Sequence, residues 1–118
     1  MQKQKLLFVC HGNICRSTMA EFVMKDLVHK AGLDDAFTID SAACRRDEIG
    51  SDTHWGTKQK LRDMGVPFTP RHARQITSAD YAKYDKIIGM DAENICDLER
   101  VTNGNPAQKT ALLFDFAG

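Results

Sequence analysis

The sequence predicts an α/β fold: a doubly wound, flavodoxin-like, four-stranded parallel sheet with helices on both faces. Short apolar runs without polar alternation indicate strands that are buried on both faces. Helical stretches separate these runs along the chain, and the connecting loops are short. The chain has 118 residues, of which 42% are apolar, so we expect one domain over residues 1–118.

The first half of the chain predicts a strand, a helix and a second strand. The first strand is the apolar run at residues 6–9. A helix is expected from Thr18, because Thr18 and Glu21 have the spacing of a capping box, and it is expected to end at Gly32. The second strand covers residues 37–41, which makes a crossover unit with two parallel strands.

The second half predicts three further helices and two further strands. The spacing of Thr77 and Asp80 is that of a capping box, and Asp91 is placed to cap the last of the three helices. The expected helices cover residues 53–64, 77–84 and 92–101, and the expected strands cover residues 86–90 and 111–116.

Charge and composition exclude several functions. Sixteen basic residues balance sixteen acidic ones, which disfavours general binding to nucleic acids or to an anionic membrane. The N-terminal apolar run is too short for a signal sequence, so we expect a cytoplasmic protein. The cysteines and histidines lack the spacing of metal ligands, and we predict no metal site, no cofactor and reduced thiols at Cys10, Cys15, Cys44 and Cys96.

The loop after the first strand carries the chemistry. Residues 10–17 read CHGNICRS: a cysteine, five residues, an arginine and a hydroxyl residue. The loop lies between the end of a strand and the start of a helix, where unpaired N–H groups attract anions. Gly12 and Asn13 tolerate left-handed backbone angles, which allow successive N–H groups to converge. The pattern predicts a phosphate-binding loop.

Cys10 and Arg16 supply the reactive groups of this loop. Arg16 can bind two phosphate oxygens at once, which lysine cannot do. The loop amides, the helix end and Arg16 all lower the pKa of a thiol at Cys10 and favour the nucleophilic thiolate. We therefore expect transfer of a phosphoryl group to sulfur.

Residues 9–17, followed by Met19, Ala20 and Glu21, resemble the low-molecular-weight protein tyrosine phosphatases. The likeness continues at residues 40–42, 73–75 and 90–94 and spans essentially the whole chain. It implies hydrolysis of phosphotyrosine monoesters through a phosphocysteine intermediate. The implied substrate is a phosphotyrosine-containing protein or a small aryl phosphate, and inorganic phosphate or sulfate would occupy the same loop.

The resemblance also assigns roles within the site. Cys10 is the nucleophile, Arg16 binds the phosphate, and Ser17 eases the departure of the thiolate. Asn13 and Ser41 support the loop. The residues that bind phosphate are His11, Gly12, Asn13, Ile14, Cys15 and Arg16, and Cys15 can form a reversible disulfide with Cys10 under peroxide.

Several positions depart from the family pattern. Thr18 replaces a proline, and His11 occupies a slot that is more often apolar. Arg71 stands where a histidine usually supports the loop. Asp47 stands where some members have an aromatic wall for the phosphotyrosine ring, and Trp55 is a candidate replacement for that wall.

The family continues beyond the fourth strand into an Asp-Pro-aromatic loop, whose aspartate protonates the leaving group, and a final helix. None of the three prolines here follows an aspartate. We therefore expect an incomplete domain without the last helix and with impaired catalysis. Asp115 is the nearest carboxylate, but it lies within an expected strand.

A missing last helix would leave one face of the sheet uncovered near Phe114 and Phe116. Exposed apolar patches favour association, so self-association through this face is expected.

Three alternative functions remain open. A phosphoarginine phosphatase of this family carries threonine in the slot of Ile14, and the isoleucine favours phosphotyrosine. An arsenate reductase needs two relay cysteines, and only Cys96 lies in the right half of the chain. A phosphate-binding module without the general acid is the third, and trapping a phosphocysteine at Cys10 would separate a catalyst from a binder.

Overall fold

The computed structural model describes residues 3–102, 104 and 109–113. Its sheet has four strands in the order β2-β1-β3-β4, and all neighbouring strands are parallel. This confirms the predicted fold class. The elements are β1 (Gln4–Cys10), α1 (Arg16–Lys30), a 3-10 turn (Asp34–Ala36), β2 (Phe37–Ala43), α2 (Trp55–Asp63), α3 (Ser78–Lys83), β3 (Lys86–Gly89), α4 (Ala92–Val101) and β4 (Thr110–Leu112).

Helices cover both faces of the sheet. On one face, Phe8 of β1 and Ile39 of β2 pack with Val28 of α1. On the other face, Leu7 of β1 packs with Leu98 of α4. Because successive side chains of a strand point to opposite faces, β1 contributes apolar residues to both clusters, and its sequence is continuously apolar for this reason.

The parallel register brings the ends of three strands to one edge. Cys10 at the end of β1 is paired with Ala43 at the end of β2, and Val9 is paired with Gly89 at the end of β3. In sheets of this class, ligands bind beyond the carboxyl ends of the strands. The segments that follow β1, β2 and β3 therefore surround one site.

The start of α1 differs from the sequence prediction. The helix begins at Arg16, two positions before Thr18, and the capping box of Thr18 and Glu21 is not formed. The Thr18 hydroxyl instead donates to the carbonyl oxygen of Cys15 at 2.9 Å, and the Glu21 side chain accepts from Ser41 of β2. The spacing rule was wrong here because Glu21 has a partner in another element.

The second helix also begins later than predicted. α2 starts at Trp55 rather than Thr53, because Nδ1 of His54 accepts from the Gly56 N–H at 3.1 Å and caps the helix. Both other cap predictions are confirmed, at Thr77 with Asp80 and at Asp91.

The last strand is shorter than predicted and only partly buried. β4 ends at Leu112, and the exposed Leu113 follows it. The expected strand residues 114–116, with the apolar face near Phe114 and Phe116 and the carboxylate of Asp115, lie outside the described residues.

Candidate active site

The loop between β1 and α1 is held in an unusual backbone conformation. Asn13 has a φ of +57°, and within residues 3–102, 104 and 109–113 it is the one non-glycine residue with a positive φ. Gly12 lies so close to the segment after β2 that a Cβ on it would come within 3.1 Å of Glu48 Cγ. A side chain at position 12 would therefore require the Glu48 side chain or the loop to shift by a few tenths of an ångström.

Two backbone hydrogen bonds attach the loop to its surroundings. The Arg45 N–H donates to the His11 carbonyl at 3.0 Å, and the His54 N–H donates to the Ile14 carbonyl at 2.7 Å. With both carbonyl groups occupied on the outside, the loop is fixed by the segments that follow β2 and precede α2. This leaves its N–H groups to turn toward Cys10.

Cys10 is buried, and its sulfur is surrounded by donors. Its Sγ lies 3.0 Å from Ser17 Oγ and 3.4 Å from the Ser17 N–H. Burial raises the pKa of the Cys10 thiol, whereas hydrogen bonds from the Ser17 side chain and from the backbone of Ser17, Asn13 and Cys15 lower it. The net effect places the pKa of Cys10 below its ordinary value. The site therefore favours a thiolate.

Arg16 lies at the mouth of the same site. Its Nη1 donates to Asp91 Oδ2 at 2.8 Å, and Asp91 in turn caps α4 by accepting from the Asn94 N–H at 2.9 Å. The hydrogen bond with Asp91 is the largest cause that raises the pKa of Arg16, and the charges of Cys10 and Cys15 act in the same direction. The guanidinium of Arg16 is thus close enough to Cys10 for a charge on the Cys10 sulfur to stabilise it.

A buried polar network lies behind the loop. The side chain of Asn13 is fully buried, and its Nδ2 donates to Ser17 Oγ and to Ser41 Oγ, both at 2.9 Å. Arg71 Nη2 donates to Asn13 Oδ1 at 2.8 Å, and Arg71 Nη1 donates to Ser41 Oγ at 2.5 Å. The structure therefore brings together Asn13, Ser17 and Ser41.

Arg71 and Glu21 belong to this network, although neither was predicted as a site residue. Arg71 Nη1 lies 3.3 Å from Glu21 Oε1, and both side chains are almost entirely buried. The signal that could have found Arg71 is its position where the family has a histidine next to the loop. The contact of Glu21 with Arg71 was not predicted, because the spacing of Glu21 from Thr18 was interpreted as a capping box.

The rim of the site is polar where some family members are aromatic. His11 Nε2 lies 2.5 Å from Asp47 Oδ2, so these two departures from the family pattern are paired with each other. The Trp55 side chain is 76% exposed, and its ring lies against that of His54. Trp55 therefore lies next to the loop, and its side chain is largely exposed to solvent.

All four cysteines fall within the described residues, and all are free thiols. Cys15 is exposed and accepts a hydrogen bond from the Thr57 hydroxyl at 3.3 Å. Burial raises the pKa of Cys44 to about 12, which makes it a poor nucleophile. Cys96 is exposed on α4.

The part of the chain that the structure describes contains neither a cluster of metal ligands nor a helix that could span a membrane. It holds no group of three or more histidine, cysteine or acidic side chains that could bind a metal ion. None of the helices there has the length and apolar content to cross a membrane.

Comparisons with known proteins agree with this geometry. The family model described as "Low molecular weight phosphotyrosine protein phosphatase" matches residues 5–118. The chain is 41% identical over 111 residues to the "Low molecular weight protein-tyrosine-phosphatase YfkJ" of Bacillus subtilis, covering 94% of this chain and 71% of the relative. It is 40% identical over 100 residues to a human low molecular weight phosphotyrosine protein phosphatase, covering 85% of this chain and 63% of that relative.

Solved structures give the same result. The crystal structure of YfkJ from Bacillus subtilis superposes with a TM-score of 0.94 at 40% identity and covers 98% of this chain and 73% of its own. A structure described as "DARP, drosophila arginine phosphatase" superposes with a TM-score of 0.82 at 34% identity and covers 92% and 69%. The chain thus spans between about three fifths and three quarters of the length of these relatives.

Proposed function

This chain belongs to the low molecular weight phosphotyrosine protein phosphatase family, and from that membership we propose that it hydrolyses phosphotyrosine monoesters through a phosphocysteine on Cys10. The observation that carries the proposal is the environment of one sulfur atom. Cys10 Sγ lies 3.0 Å from the Ser17 hydroxyl, within a loop whose N–H groups lower its pKa. A thiolate held in a phosphate-binding loop is the nucleophile that this chemistry needs.

The reaction proceeds in two displacements. In the first, the Cys10 thiolate attacks phosphorus, the bond from phosphorus to the tyrosyl oxygen breaks, and the departing oxygen takes up a proton from water. Arg16 binds two of the equatorial oxygens, on which the charge is spread in the transition state. In the second, water attacks the phosphorus of the phosphocysteine and gives up a proton to solvent, and the bond from phosphorus to sulfur breaks. Inorganic phosphate leaves, and the Ser17 hydroxyl donates to the departing thiolate.

In this proposal, the remainder of the loop binds the phosphate. Backbone N–H groups of residues 11–16 converge on the oxygens, with Asn13 and Ser41 as support. The substrate is a phosphotyrosine-containing protein or a small aryl phosphate, and inorganic phosphate or sulfate occupies the same loop. No cofactor or metal takes part.

We also propose that these 118 residues alone are slow with poor leaving groups. None of their prolines follows an aspartate, so they contain no Asp-Pro-aromatic acid of the family type. Loss of general acid catalysis typically lowers rates by about 10²- to 10⁴-fold. A leaving group that departs without a proton, such as p-nitrophenolate, should be affected less than a tyrosyl oxygen.

Three further points accompany the proposal. Residues 1–118 belong to one phosphatase domain that acts in the cytoplasm. Self-association is proposed from the apolar residues Phe114 and Phe116. Reversible disulfide formation between Cys10 and Cys15 is proposed as protection under peroxide, supported by the exposure of Cys15.

Phosphoarginine hydrolysis is a second candidate, because a structural neighbour is described as an arginine phosphatase. Ile14 stands in the loop slot where that preference goes with threonine, and it favours phosphotyrosine. Faster cleavage of phosphoarginine peptides than of phosphotyrosine peptides would decide for the second candidate. Arsenate reduction and phosphate binding without turnover are the remaining candidates.

The decisive experiment is to trap the covalent intermediate. The chain is mixed with p-nitrophenyl phosphate, quenched in acid and digested. The mass of the peptide that contains Cys10 is then measured to detect one added phosphoryl group. Cys10→Ser should lose turnover and retain phosphate binding, whereas the matched control Cys96→Ser should keep both. Binding of phosphate with no adduct and no turnover would favour a binding module, and turnover by Cys10→Ser would remove Cys10 from the mechanism.

A further inference from the structure

The buried ion pair of Glu21 and Arg71 lies at the far end of a hydrogen-bond chain that leads to the nucleophile. Both residues lie outside the loop: Glu21 on α1, and Arg71 in the segment between α2 and α3. We propose that Glu21 and Arg71 are positioning residues, which fix the direction of this chain so that the Ser17 proton points at the Cys10 sulfur. The inference rests on the proposed role of Cys10 as nucleophile.

The direction of the chain is set first at Glu21. Its side chain is only 6% exposed and lies between two cations, with Lys25 Nζ 2.6 Å from Oε2 and Arg71 Nη1 3.3 Å from Oε1. A carboxylate between two cations has acceptors only. The Ser41 hydroxyl, which is hydrogen-bonded to Glu21 Oε1, must therefore be the donor in that bond.

Arg71 sets the direction at the second point. A guanidinium has donors only, so both atoms that it contacts must be acceptors. Ser41 Oγ accepts from Arg71 Nη1, and Asn13 Oδ1 accepts from Arg71 Nη2. The Asn13 side-chain amide can then have only one orientation, with its NH₂ group turned away from Arg71.

The two constraints meet at Asn13 and pass to Ser17. The Asn13 Nδ2 donates one proton to Ser41 Oγ and the other to Ser17 Oγ. Ser17 Oγ is thus an acceptor toward Asn13, and its own proton remains for its other neighbour. That neighbour is Cys10 Sγ at 3.0 Å, which must accept. A sulfur that is always offered a proton donor is stabilised as the thiolate.

A substitution of Glu21 can therefore distinguish a positioning role from a merely structural one. Glutamine in place of Glu21 has nearly the same shape but lacks the negative charge that holds the Arg71 guanidinium at 3.3 Å, so Arg71 can leave Asn13 Oδ1 and the Asn13 amide can turn over. Ser17 could then accept from a Cys10 thiol instead of donating to a thiolate. The protonation equilibrium of Cys10 should change even in a fully folded variant.

The experiment measures the rate of Cys10 alkylation by iodoacetamide as a function of pH, with Cys15 and Cys96 replaced by serine in every variant. In Glu21→Gln the rate near pH 6 should fall about tenfold, while the rate near pH 10 should stay within about twofold. Lys25→Gln is the matched control, because Lys25 contacts the same carboxylate but is not part of the chain. Its profile should stay within about twofold of the parent at every pH.

Arg71 provides the second pair of variants, which also serves if Glu21→Gln fails to fold. Arg71→Met removes both donors and should lower the rate near pH 6 about tenfold, whereas Arg71→Lys retains a donor and should restore most of it. Unchanged pH profiles in folded Glu21→Gln and Arg71→Met would overturn the inference. Equal profiles for Arg71→Met and Arg71→Lys would overturn it as well.

Alkylation requires no phosphoryl transfer, so the result is separable from the proposed function. A shifted profile in a chain that forms no phosphocysteine would support the hydrogen-bond chain and count against phosphatase activity. Phosphocysteine formation together with unshifted profiles would overturn this inference alone.

Discussion

The guanidinium of Arg16 lies 2.8 Å from the carboxylate of Asp91, which joins the first residue of α1 to the N-cap of α4. The arginine that we propose as the phosphate ligand thus has a negatively charged partner at the mouth of the site. Because both side chains are about half exposed, the pair is weak in energy and a phosphate dianion can compete for the guanidinium.

Replacing Asp91 with asparagine should therefore strengthen anion binding. Asparagine retains the N-cap of α4, so the change removes a charge without removing the cap. Inorganic phosphate should bind about threefold more tightly, a change within the range of an exposed ion pair. Titration calorimetry of Asp91→Asn against the parent chain measures this. Weaker binding in Asp91→Asn would show that Asp91 orients Arg16 rather than competing with phosphate.

Asn13→Ala should destabilise the fold as well as the loop. It places alanine at a φ of +57° and leaves the buried groups that contact Asn13 without partners. The free energy of unfolding should fall by about 2–4 kcal/mol, measured by urea denaturation. Asn13→Gly is the control, because it removes the same side chain but tolerates a positive φ, so the difference between the two variants measures the backbone strain. A loss below about 1 kcal/mol in Asn13→Ala would mean that the network adds little to stability.

Cys15→Ser should convert reversible inactivation by peroxide into irreversible inactivation. Peroxide oxidises the Cys10 thiolate to a sulfenic acid, which the Cys15 thiol can attack to give a disulfide and water. Without Cys15, further oxidation of Cys10 proceeds, and dithiothreitol no longer restores alkylation of that residue. Cys96→Ser serves as the control, because it removes an exposed thiol outside the loop. Full recovery in Cys15→Ser would exclude the disulfide.

Asp52 should make stability depend on pH in the acid range. The hydrogen bond from Lys58, with smaller contributions from the Thr53 and Arg71 N–H groups, lowers the pKa of Asp52 to about 2. Because the folded pKa is below the unfolded value of about 3.9, the stabilisation is complete above pH 4 and is lost as pH falls toward about 2.

The corresponding variant is Asp52→Asn. Near neutral pH it should be about 0.5 kcal/mol less stable than the parent, a small value because Asp52 is partly exposed. This difference should shrink as pH falls toward about 2. Urea unfolding across this pH range measures it, and Lys58→Gln should show the same trend. A difference that stays constant with pH would contradict the assignment.

The strands β1 and β3 could be predicted from sequence because each contains a local apolar run. The run at residues 6–9 is buried on both faces, and the structure extends it only by polar or terminal residues to Gln4–Cys10. The start of α1 could not be predicted in the same way. Glu21 matches a capping rule by spacing, but its partner Ser41 lies 20 positions away and is chosen by the fold.

The same distinction holds for the site. Cys10, Gly12, Asn13 and Arg16 lie in one short loop, so their chemistry can be inferred from local spacing. Arg71 contacts Asn13 from 58 positions away, and no local pattern indicates which side chain it will meet. The pairing of His11 with Asp47 is hidden for the same reason, since 36 positions separate them.

The central position of β1 determines how the residue Cys10 responds to partial unfolding of the sheet. β1 is hydrogen-bonded to β2 on one side and to β3 on the other, so it cannot detach at an edge as β4 can. Its backbone amides should exchange with deuterium only when the whole sheet opens. Cys10 belongs to this slowest-exchanging segment. Local unfolding at the edges of the sheet therefore leaves the Cys10 sulfur in place.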